Sequence, residues 1–440
     1  MARPPISSGG TGARRGGEGL GASGIDDLLL SAMERGDESL QTGRYIMTYK
    51  PDAVEQGLEH LRSLNLRTAD ARDFEDQAVE VKDVGDADAL VFPEIGAALV
   101  SGAAFESRGL SVAEDIGSDS PIETIEPEYF AFADDLTGDY LRGFQSAVEA
   151  IAADFGGSGK REEQSEVDAQ VFGATWGLIV TKAILSSRSG AGIRVAVLDT
   201  GVDLTHPDFA GRTFATATFV SQPVQDLHGH GTHCIGTACG PNAPPGFTPR
   251  YGIGYQVAPI FVGKVLTNAG SGSTASVLAG MNWAIANKCA VISLSLGANT
   301  PVQAAYTAAG QAALNKGCLI VAAAGNSSGG PTGAPANSPT IMSVSSVDKN
   351  LSPSSFSSVG KVELAAPGRD VFSAAPMPKR YATMSGTSMA TPHVAGCAAL
   401  WAQTSASLRG QALWNKLLAS TLPLPFPPAR IGKGLVQAAP

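Results

Sequence analysis

Residues 192–200 read GIRVAVLDT, a short apolar run that ends in a polar Asp-Thr pair. Further apolar runs lie at residues 260–265, 290–296 and 318–325. They alternate with stretches of helical periodicity at residues 276–287 and 300–316. Apolar runs of this length are typical of strands buried on both faces of a parallel sheet. Their alternation with helices predicts an α/β class, with a parallel sheet flanked by helices.

The charge of the chain divides it into two halves. Residues 1–168 contain 14 Lys/Arg and 34 Asp/Glu, which gives -20, whereas residues 169–440 contain 17 and 7, which gives +10. Opposite charges favour docking of one half on the other, although an acidic soluble tail would give the same composition. The Lys and Arg residues of the second half are scattered rather than clustered, so we expect no nucleic-acid partner.

The cysteines indicate buried thiols rather than a disulfide framework. All five lie in the second half, and their odd number excludes complete pairing within the chain: Cys234, Cys239, Cys289, Cys318 and Cys397. The chain has no CxxC arrangement and no second pair that would complete a zinc site. We therefore expect structural thiols, a usage that suits a reducing compartment.

No targeting or membrane segment is recognisable in the sequence. Arg14 and Arg15 are not followed by the apolar segment of a signal peptide. A run of about 18 apolar residues, as a membrane span requires, is also missing. We expect a chain that is cytoplasmic at synthesis and has no membrane partner, so any export would follow an unconventional route.

The acidic half predicts a tail and a small domain. Residues 1–42 are rich in Gly, Ser and charge, which predicts a disordered tail apart from an apolar-periodic stretch at 26–33. Residues 43–133 predict the element order βαββαβ of an α+β domain. The last of these elements, at 120–133, alternates like an edge strand.

A connecting segment precedes the second folded unit. Residues 134–168 predict an amphipathic helix at 136–155 followed by a flexible linker. The α/β unit then occupies residues 169–440. In a parallel sheet of this kind the ligand site lies beyond the carboxyl ends of the strands.

Three motifs in the second unit carry a possible chemistry: VAVLDTGVD with Asp199, HGHGTHCIGT with His230, and GTSMATPHVAG with Ser388. A serine hydroxyl is a poor nucleophile at neutral pH and needs a base within hydrogen-bond reach. The base in turn needs a carboxylate that holds its tautomer and stabilises its protonated form. The three residues together predict a catalytic triad.

The order Asp, His, Ser and the flanking residues resemble the subtilisin family of serine proteases. The resemblance covers residues 169–440, from ATWGL near the start to IGKGLVQAA at the end, and the forms HGHGTHC and LSLGA resemble the proteinase K branch. It implies that Asp199 orients the base, that His230 is the general base and acid, and that Ser388 is acylated. It also implies that Asn326 in VAAAGN and the backbone N–H of Ser388 bind the oxyanion.

Three other histidines compete with His230 for the role of base. His228 lacks the HGTH context, His233 lies one turn further along the same predicted helix, and His393 follows Pro392 in the helix after the nucleophile. We expect none of them to be the base.

The resemblance also implies a substrate cleft. The two strands that hold an extended substrate would be Gly270, Ser271 and Gly272 on one side and Ser295, Leu296 and Gly297 on the other. A roomy apolar first pocket would be lined by Ala323, Ala324, Gly325 and Gly333. Such a pocket favours large hydrophobic residues at the P1 position of a polypeptide substrate.

Residues 43–133 resemble the inhibitor-type propeptide of these proteases. The resemblance implies that this domain templates folding of the enzyme, docks on it as an intramolecular inhibitor and ends in the cleft. Phe132 would then fill the P1 pocket, and Ser388 would cut after it and leave Ala133 as the new N-terminus. Lys160 and Arg161 in the linker are an alternative site for other proteases.

No cofactor is required for this chemistry, but a structural calcium ion is a further expectation. Asp208 in THPDF matches a calcium-ligating residue of many relatives. The loop GPNAPPGFTPRYGIG departs from the usual pattern, and calcium needs six to eight oxygen ligands. A calcium site at Asp208 therefore stays an open alternative.

The predicted function is that of a monomeric serine endopeptidase, made as a zymogen, which hydrolyses peptide bonds through an acyl-enzyme and matures by autoprocessing. One alternative is a catalytically silent binding protein with the same fold, but such a protein would have lost one of Asp199, His230, Asn326 and Ser388. The other is a sedolisin-type acid peptidase, which needs a Glu in place of His230.

Overall fold

The computed structural model describes residues 20, 24–34, 39–107, 120–133, 173–246 and 248–440. The predicted helix at 136–155, its linker and the alternative cleavage site at Lys160 and Arg161 lie outside these residues, as does most of the predicted tail.

Both folded units are built on β-strands. Fifteen are found in the described residues: β1 Gln41–Tyr49, β2 Thr68–Asp70, β3 Ala89–Phe92, β4 Ala97–Val100, β5 Ile122–Phe132, β6 Val195–Asp199, β7 Phe214–Thr218, β8 Ile260–Lys264, β9 Ser271–Ser273, β10 Val291–Leu294, β11 Leu319–Ala323, β12 Met342–Val347, β13 Leu364–Pro367, β14 Val371–Ala374 and β15 Tyr381–Met384.

The α-helices of the same residues are α1 Ile25–Glu34, α2 Val54–Ser63, α3 Gly102–Ser107, α4 Trp176–Val180, α5 His230–Cys239, α6 Thr274–Ala286, α7 Ala304–Asn315, α8 Thr387–Thr404, α9 Gly410–Ala419 and α10 Pro428–Ile431. None of these helices combines the length and the apolar character needed to cross a bilayer.

The C-terminal unit is built on a parallel sheet of seven strands, in the order β13-β12-β11-β10-β6-β8-β7. Every registered neighbour pair in this sheet is parallel, and every residue of β6, β8 and β10 is buried. Buried strands of this kind need apolar side chains on both faces, which explains their continuous apolar sequence. The predicted α/β class with a parallel sheet is confirmed.

Helices cover both faces of the parallel sheet and provide its two cores. One core packs Val195 and Val197 of β6 against Ile235 of α5 and Val394 of α8. The other packs Leu198, from the opposite face of β6, with residues of α6 and α7. The alternating direction of side chains along β6 therefore places it between two layers of helix.

The N-terminal unit is a sheet whose last strand belongs to the other unit. Its order is β2-β3-β4-β1-β5-β9, and β9 lies in the C-terminal half of the chain. The described elements follow the predicted βαββαβ order with one addition, the short strand β2, which was not predicted. Strand β5 was predicted as an edge strand, but it lies between β1 and β9 and pairs antiparallel with both.

The apolar-periodic stretch that was set apart from the predicted disordered tail forms a helix. Helix α1 coincides with the apolar-periodic stretch at 26–33. Its Leu28, Leu29 and Ala32 pack on Phe130 and Phe132 of β5. The helix is therefore stabilised by a surface that the tail's own composition does not reveal.

Two carboxylates of β5 join the two units. Glu126 accepts hydrogen bonds from the backbone N–H groups of Ala304 and Ala305 at the start of α7, at 2.9 and 2.8 Å. Glu128 accepts one from the N–H of Ala275 in the first turn of α6, at 3.0 Å. These N–H groups have no partner within their own helices, and the helix dipole favours negative charge there.

The acidic half therefore docks partly through helix N-termini, where its carboxylates accept hydrogen bonds from backbone N–H groups. An ion pair between Lys316 and Glu94 also crosses the interface. Burial raises the pKa of Glu126, and its two backbone donors offset part of that effect.

Glu128 is also the partner of a buried cation. Arg44 donates from Nε to Oε2 of Glu128 at 2.6 Å and from Nη2 to Oε1 at 3.1 Å, and both side chains are buried. We expect Glu128→Ala to destabilise the docked N-terminal unit by about 3–5 kcal/mol, because it leaves the Arg44 charge buried without its partner. Urea unfolding of the full chain, carried out with Ser388→Ala to prevent cleavage, measures this change.

Glu123→Ala is the matched control for this prediction, because Glu123 lies on the same strand and is exposed. The control should change the free energy of unfolding by less than about 0.5 kcal/mol. Equal effects of the two substitutions would contradict the assigned role of Glu128.

Candidate active site

The carboxyl end of β6 and the start of α5 bring two of the predicted catalytic residues together. Asp199 is the last residue of β6 and His230 is the first of α5. The Nδ1 atom of His230 lies 2.8 Å from Oδ1 of Asp199, and both side chains are buried. The carboxylate therefore holds the ring with its proton on Nδ1 and leaves Nε2 as the basic nitrogen.

The glycine after His230 permits this close approach. A Cβ atom at Gly231 would lie 2.3 Å from the carbonyl oxygen of Gly201, which is too short for any larger residue. The N–H of Gly231 also donates to Oγ1 of Thr200 at 2.9 Å. The HGTH motif thus allows α5 to begin directly against the turn that follows β6.

Asp226 holds the turn before His230, although it belongs to none of the three sequence motifs. Its carboxylate accepts hydrogen bonds from Thr200 Oγ1, from the N–H groups of His228 and Gly229, and from both the N–H and the hydroxyl of Thr232. An acidic residue just before a Gly-rich entry into a helix is a common capping arrangement, which was the available signal.

The environment of His230 favours its protonated form. Burial alone would lower its pKa, but the adjacent Asp199 carboxylate outweighs burial and holds the pKa well above 6.5. This direction is the one that stabilises an imidazolium formed during catalysis.

The other histidines have structural environments. His233 lies against the carbonyl oxygens of Val371 and Ala382, and burial lowers its pKa to about 3. The Nδ1 atom of His393 lies 2.8 Å from the carbonyl oxygen of Met389, and burial lowers its pKa to about 4. His228 is exposed, with its ring centre 6.2 Å from that of His230.

Ser388 and Asn326 meet at the start of α8. Ser388 is the second residue of that helix, so its N–H has no partner in the helix. Asn326 accepts hydrogen bonds at Oδ1 from the N–H of Thr387 at 2.9 Å and from its hydroxyl at 3.1 Å. The N–H of Thr387 can only donate, so the side-chain atom of Asn326 that it contacts is the acceptor Oδ1. The Nδ2 group of Asn326 is then the donor that faces the other way.

The hydroxyl of Ser388 faces the N-terminal unit rather than the histidine. Its Oγ lies 3.2 Å from the carbonyl oxygen of Ala133 and 3.3 Å from that of Ser295. Among the described residues, Nε2 of His230 has no hydrogen-bond partner. The Asp199–His230 link is thus formed, and the Ser388–His230 link is not a hydrogen bond while Ala133 is in the cleft.

The residues predicted as the two cleft strands hold β5 from both edges. Phe132 exchanges hydrogen bonds with Gly297, at 3.0 Å from its N–H and 2.9 Å to its carbonyl, and it pairs with Ser271 on the other edge. The N–H of Ala133 donates to the carbonyl of Gly270 at 2.9 Å. Gly272 pairs with Ala131.

A small pocket opens beside Ser388 and Asn326. Its other walls are Ala133, Leu296, Gly297, Ala298, Ala323, Ala324, Gly325, Gly333, Ala334 and Thr387. The predicted pocket residues all lie in these walls. Ser295 lies beneath the site, where its hydroxyl donates to the carbonyl of Ser388 at 2.7 Å.

Phe132 does not occupy this pocket, which corrects its predicted placement there. Its side chain packs with Phe130 and the apolar face of α1, and it is Ala133 that borders the pocket and the nucleophile. Strand alternation sends the side chain of Phe132 away from the pocket because two-edged pairing with Ser271 and Gly297 sets the register. This register does not favour a cut between Phe132 and Ala133, and the position of the cut stays a prediction.

Asp208 has a donor set that does not fit calcium. Its carboxylate accepts hydrogen bonds from the hydroxyls of Tyr251 and Tyr381 and from Nη2 of Arg380, so both oxygens face hydrogen atoms. Calcium requires a cage of oxygen lone pairs, and a guanidinium group opposes a cation at the same place. This carboxylate instead joins the loop before β7 to β15.

Cys234 lies beside the catalytic pair. Its Sγ is 3.9 Å from Nδ1 of His230 and 3.6 Å from the carbonyl oxygen of Ser388. In the described part of the chain, Asp199, His230 and Cys234 are also the one set of three or more acidic, histidine or cysteine residues whose ligand atoms all lie within 4.8 Å of one another. All five cysteines are buried and unpaired, as predicted.

Comparison with known proteins agrees with this geometry. Residues 190–434 match the sequence pattern of the subtilase family. The chain belongs to the subtilase family.

Named relatives show the same relationship. The subtilase is 39% identical over 260 residues to an alkaline protease of Alkalihalobacillus alcalophilus, a match that covers 58% of this chain and 67% of that protein. It is 41% identical over 226 residues to thermitase of Thermoactinomyces vulgaris, covering 50% and 77%. A solved cold-adapted subtilisin-like serine proteinase is similar with a TM-score of 0.54 and 34% identity, over 61% of this chain and all of that one.

The subtilase is thus a serine endopeptidase, whose substrates are polypeptides. Membership of the proteinase K branch stays a prediction, because these matches do not separate the branches of the family.

The raised pKa of His230 sets the expected pH dependence of the subtilase. The base must be neutral to accept the Ser388 proton, so kcat/KM should rise with pH as His230 is deprotonated, with a midpoint above 6.5. A pH profile of kcat/KM for the processed enzyme measures the midpoint. His228→Asn, at the exposed neighbouring histidine, should keep the same midpoint, and a midpoint below 6.5 in the unmodified enzyme would contradict the assignment.

Cys234 should make the subtilase sensitive to mercurials, because a metal on its Sγ would displace the His230 ring. Burial raises the pKa of the thiol, so the reaction should be slow and should accelerate with pH. Loss of peptidase activity with time in a mercurial measures it. Cys234→Ala should resist, whereas Cys397→Ala, at a buried thiol on α8, should be inactivated like the parent. Equal inactivation of Cys234→Ala would show that the target is another group.

Proposed function

We propose that the chain is a zymogen of a serine endopeptidase that cuts itself beyond β5 and then hydrolyses other polypeptides through an acyl-enzyme. The observation that carries the proposal is the placement of Ala133. Its carbonyl oxygen lies 3.2 Å from Oγ of Ser388, at the end of a strand held on both edges by the cleft. A polypeptide in this position is bound as a substrate would be.

The first step is attack of Ser388 Oγ on the carbonyl carbon of the bound peptide. His230 takes the hydroxyl proton at Nε2, and Asp199 stabilises the resulting imidazolium through Nδ1. The C–N bond then breaks as the imidazolium gives this proton to the leaving amine. Water repeats the sequence on the acyl-enzyme, releases the carboxylic acid and restores the serine.

The developing oxyanion needs donors that are held in advance. The N–H of Ser388 at the start of α8 and Nδ2 of Asn326, oriented by Thr387, are two such donors beside the pocket. Loss of one donor of this kind typically costs about 10²–10³ in kcat.

The pocket favours large apolar P1 side chains in substrates. Its walls are mainly alanine and glycine, which leave room and offer no charged group to a buried side chain. Specificity for such residues follows from burial of their apolar surface.

Self-cleavage is proposed on the carboxyl side of Ala133, because among the described residues of the N-terminal unit its carbonyl is the one that lies within reach of Ser388 Oγ. Residues up to Ala133 would stay in the cleft after the cut, held by the pairing of β5 with β9 and by the contacts of Glu126 and Glu128. The N-terminal domain thereby acts as an inhibitor of its own enzyme until it is released or degraded.

The proposed chemistry uses groups of one chain, and we propose a monomer with no nucleic-acid or membrane partner and no cofactor in the reaction. A structural calcium ion away from Asp208 stays a prediction. A catalytically silent binding protein is the alternative, and it is not favoured because Asp199 and His230 already have the geometry of a working pair.

A single comparison tests the proposal. The full chain should process itself and degrade an unfolded protein at pH 8, and N-terminal sequencing of the enzyme should give a start at residue 134. Ser388→Ala should stay uncut, should lose at least about 10⁴-fold in turnover, and should not react with a fluorophosphonate label.

Ser385→Ala is the matched control, because this exposed serine lies three residues before the nucleophile and contacts Asp370. It should process and hydrolyse like the parent. Equal cutting by Ser388→Ala would refute self-cleavage, and a mature start at Ala133 would refute the proposed register.

A further inference from the structure

Helix α1 lies over the strand that fills the cleft. The apolar side chains of Leu28, Leu29 and Ala32 pack on Phe130 and Phe132, whose own exposed fractions are 1% and 6%. These two aromatic residues belong to the part of β5 that pairs with β9. The helix therefore covers the inserted strand on the side that faces away from the pocket.

A polar contact ties the same helix directly to the enzyme. Oδ1 of Asp26 accepts hydrogen bonds from Oγ1 of Thr267 at 3.0 Å and from Oγ of Ser271 at 2.8 Å. Both hydroxyl-bearing residues are buried, with exposed fractions of 3% and 0%, and their oxygens lie 2.9 Å apart. Two buried hydroxyls therefore converge on one carboxylate oxygen of the pro-segment.

The surroundings of this contact also favour a carboxylate. Lys264, at the end of β8, is buried, and its Nζ donates to Oδ1 of Asn268 at 2.8 Å and to the carbonyl of Thr200. Asp26 is one of the three carboxylates whose charge acts on this ammonium group. A negative group at the Thr267–Ser271 pair thus lies in the field of a buried cation.

We propose that Thr267 and Ser271 form a carboxylate-binding site on the rim of the cleft, and that Asp26 occupies it so that α1 keeps the cleaved pro-segment in place. This inference rests on the proposed self-cleavage. Since α1 and β5 both precede Ala133, they stay on one fragment after the cut. While β5 is bound, α1 is held next to its own site on the enzyme at a high effective concentration. The contacts of α1 therefore slow release of the whole fragment.

The contact of Asp26 with the enzyme can be tested separately from the effect of a first-turn charge on the stability of α1. Asp26 and Asp27 both lie in the first turn of α1, where negative charge stabilises the helix. The contact recorded for Asp27 in the described chain is local, with the N–H of Gly24 at 3.4 Å. Asp27→Ala is therefore the matched control, because it removes a first-turn charge and leaves the rim contact intact.

The experiment follows the full chain through maturation. Gel electrophoresis measures the rate of cutting, and a chromogenic peptide measures the delay between cutting and the appearance of activity after dilution. Asp26→Ala should cut at the parental rate and should shorten the delay about tenfold, since a hydrogen-bonded charged group is lost from the complex. Asp27→Ala should keep the parental delay.

Thr267→Val tests the enzyme side of the same contact. With activity normalised to its own final value, it should shorten the delay like Asp26→Ala, and the double variant should show no further shortening. A parental delay in Asp26→Ala, slower cutting with an unchanged delay, or independent effects of the two substitutions would overturn the site. If the parent neither cuts nor becomes active, it is the proposed function that fails.

Discussion

The antiparallel pairing of β5 on both of its edges is the interaction on which the arrangement of this chain depends. On one edge β5 pairs with β1 of its own domain, and on the other it pairs with β9 of the enzyme. A strand with its backbone groups satisfied on both sides cannot slip by one residue without reversing every side chain. This register places Ala133 at the nucleophile, Phe132 under α1, and Glu126 and Glu128 at two helix N-termini.

Buried charge in this molecule is placed where backbone donors or a partner can satisfy it. Asp226 gathers five donors around the turn before the catalytic histidine, and Glu128 combines a helix N-terminus with Arg44. Histidines that lack a carboxylate partner are instead held neutral by burial, as His233 and His393 show. Asp199 is therefore what separates His230 from His233 and His393.

The sequence was most informative where residue type and chemistry coincide. The buried strands were recognisable from apolar runs, with β8 and β10 beginning within one residue of the predicted positions. Asp199, His230, Asn326 and Ser388 were recognisable because few residue types can do their work and their motifs are specific. Strand β2, with three residues, carried too little pattern to be seen, and Asp226 resembled an ordinary helix cap.

What the sequence by itself determined is the α/β class, the choice of candidate catalytic residues and the opposite charges of the two halves, because each follows from local pattern or composition. What only the tertiary structure decided is the register at Ala133, the packing of α1 on β5 and the contact of Asp26 with Thr267 and Ser271. These depend on residues more than 100 positions apart, such as Ala133 and Ser388 or Asp26 and Ser271. Local pattern does not record such pairings, because each is selected by the free energy of packing one finished element on another.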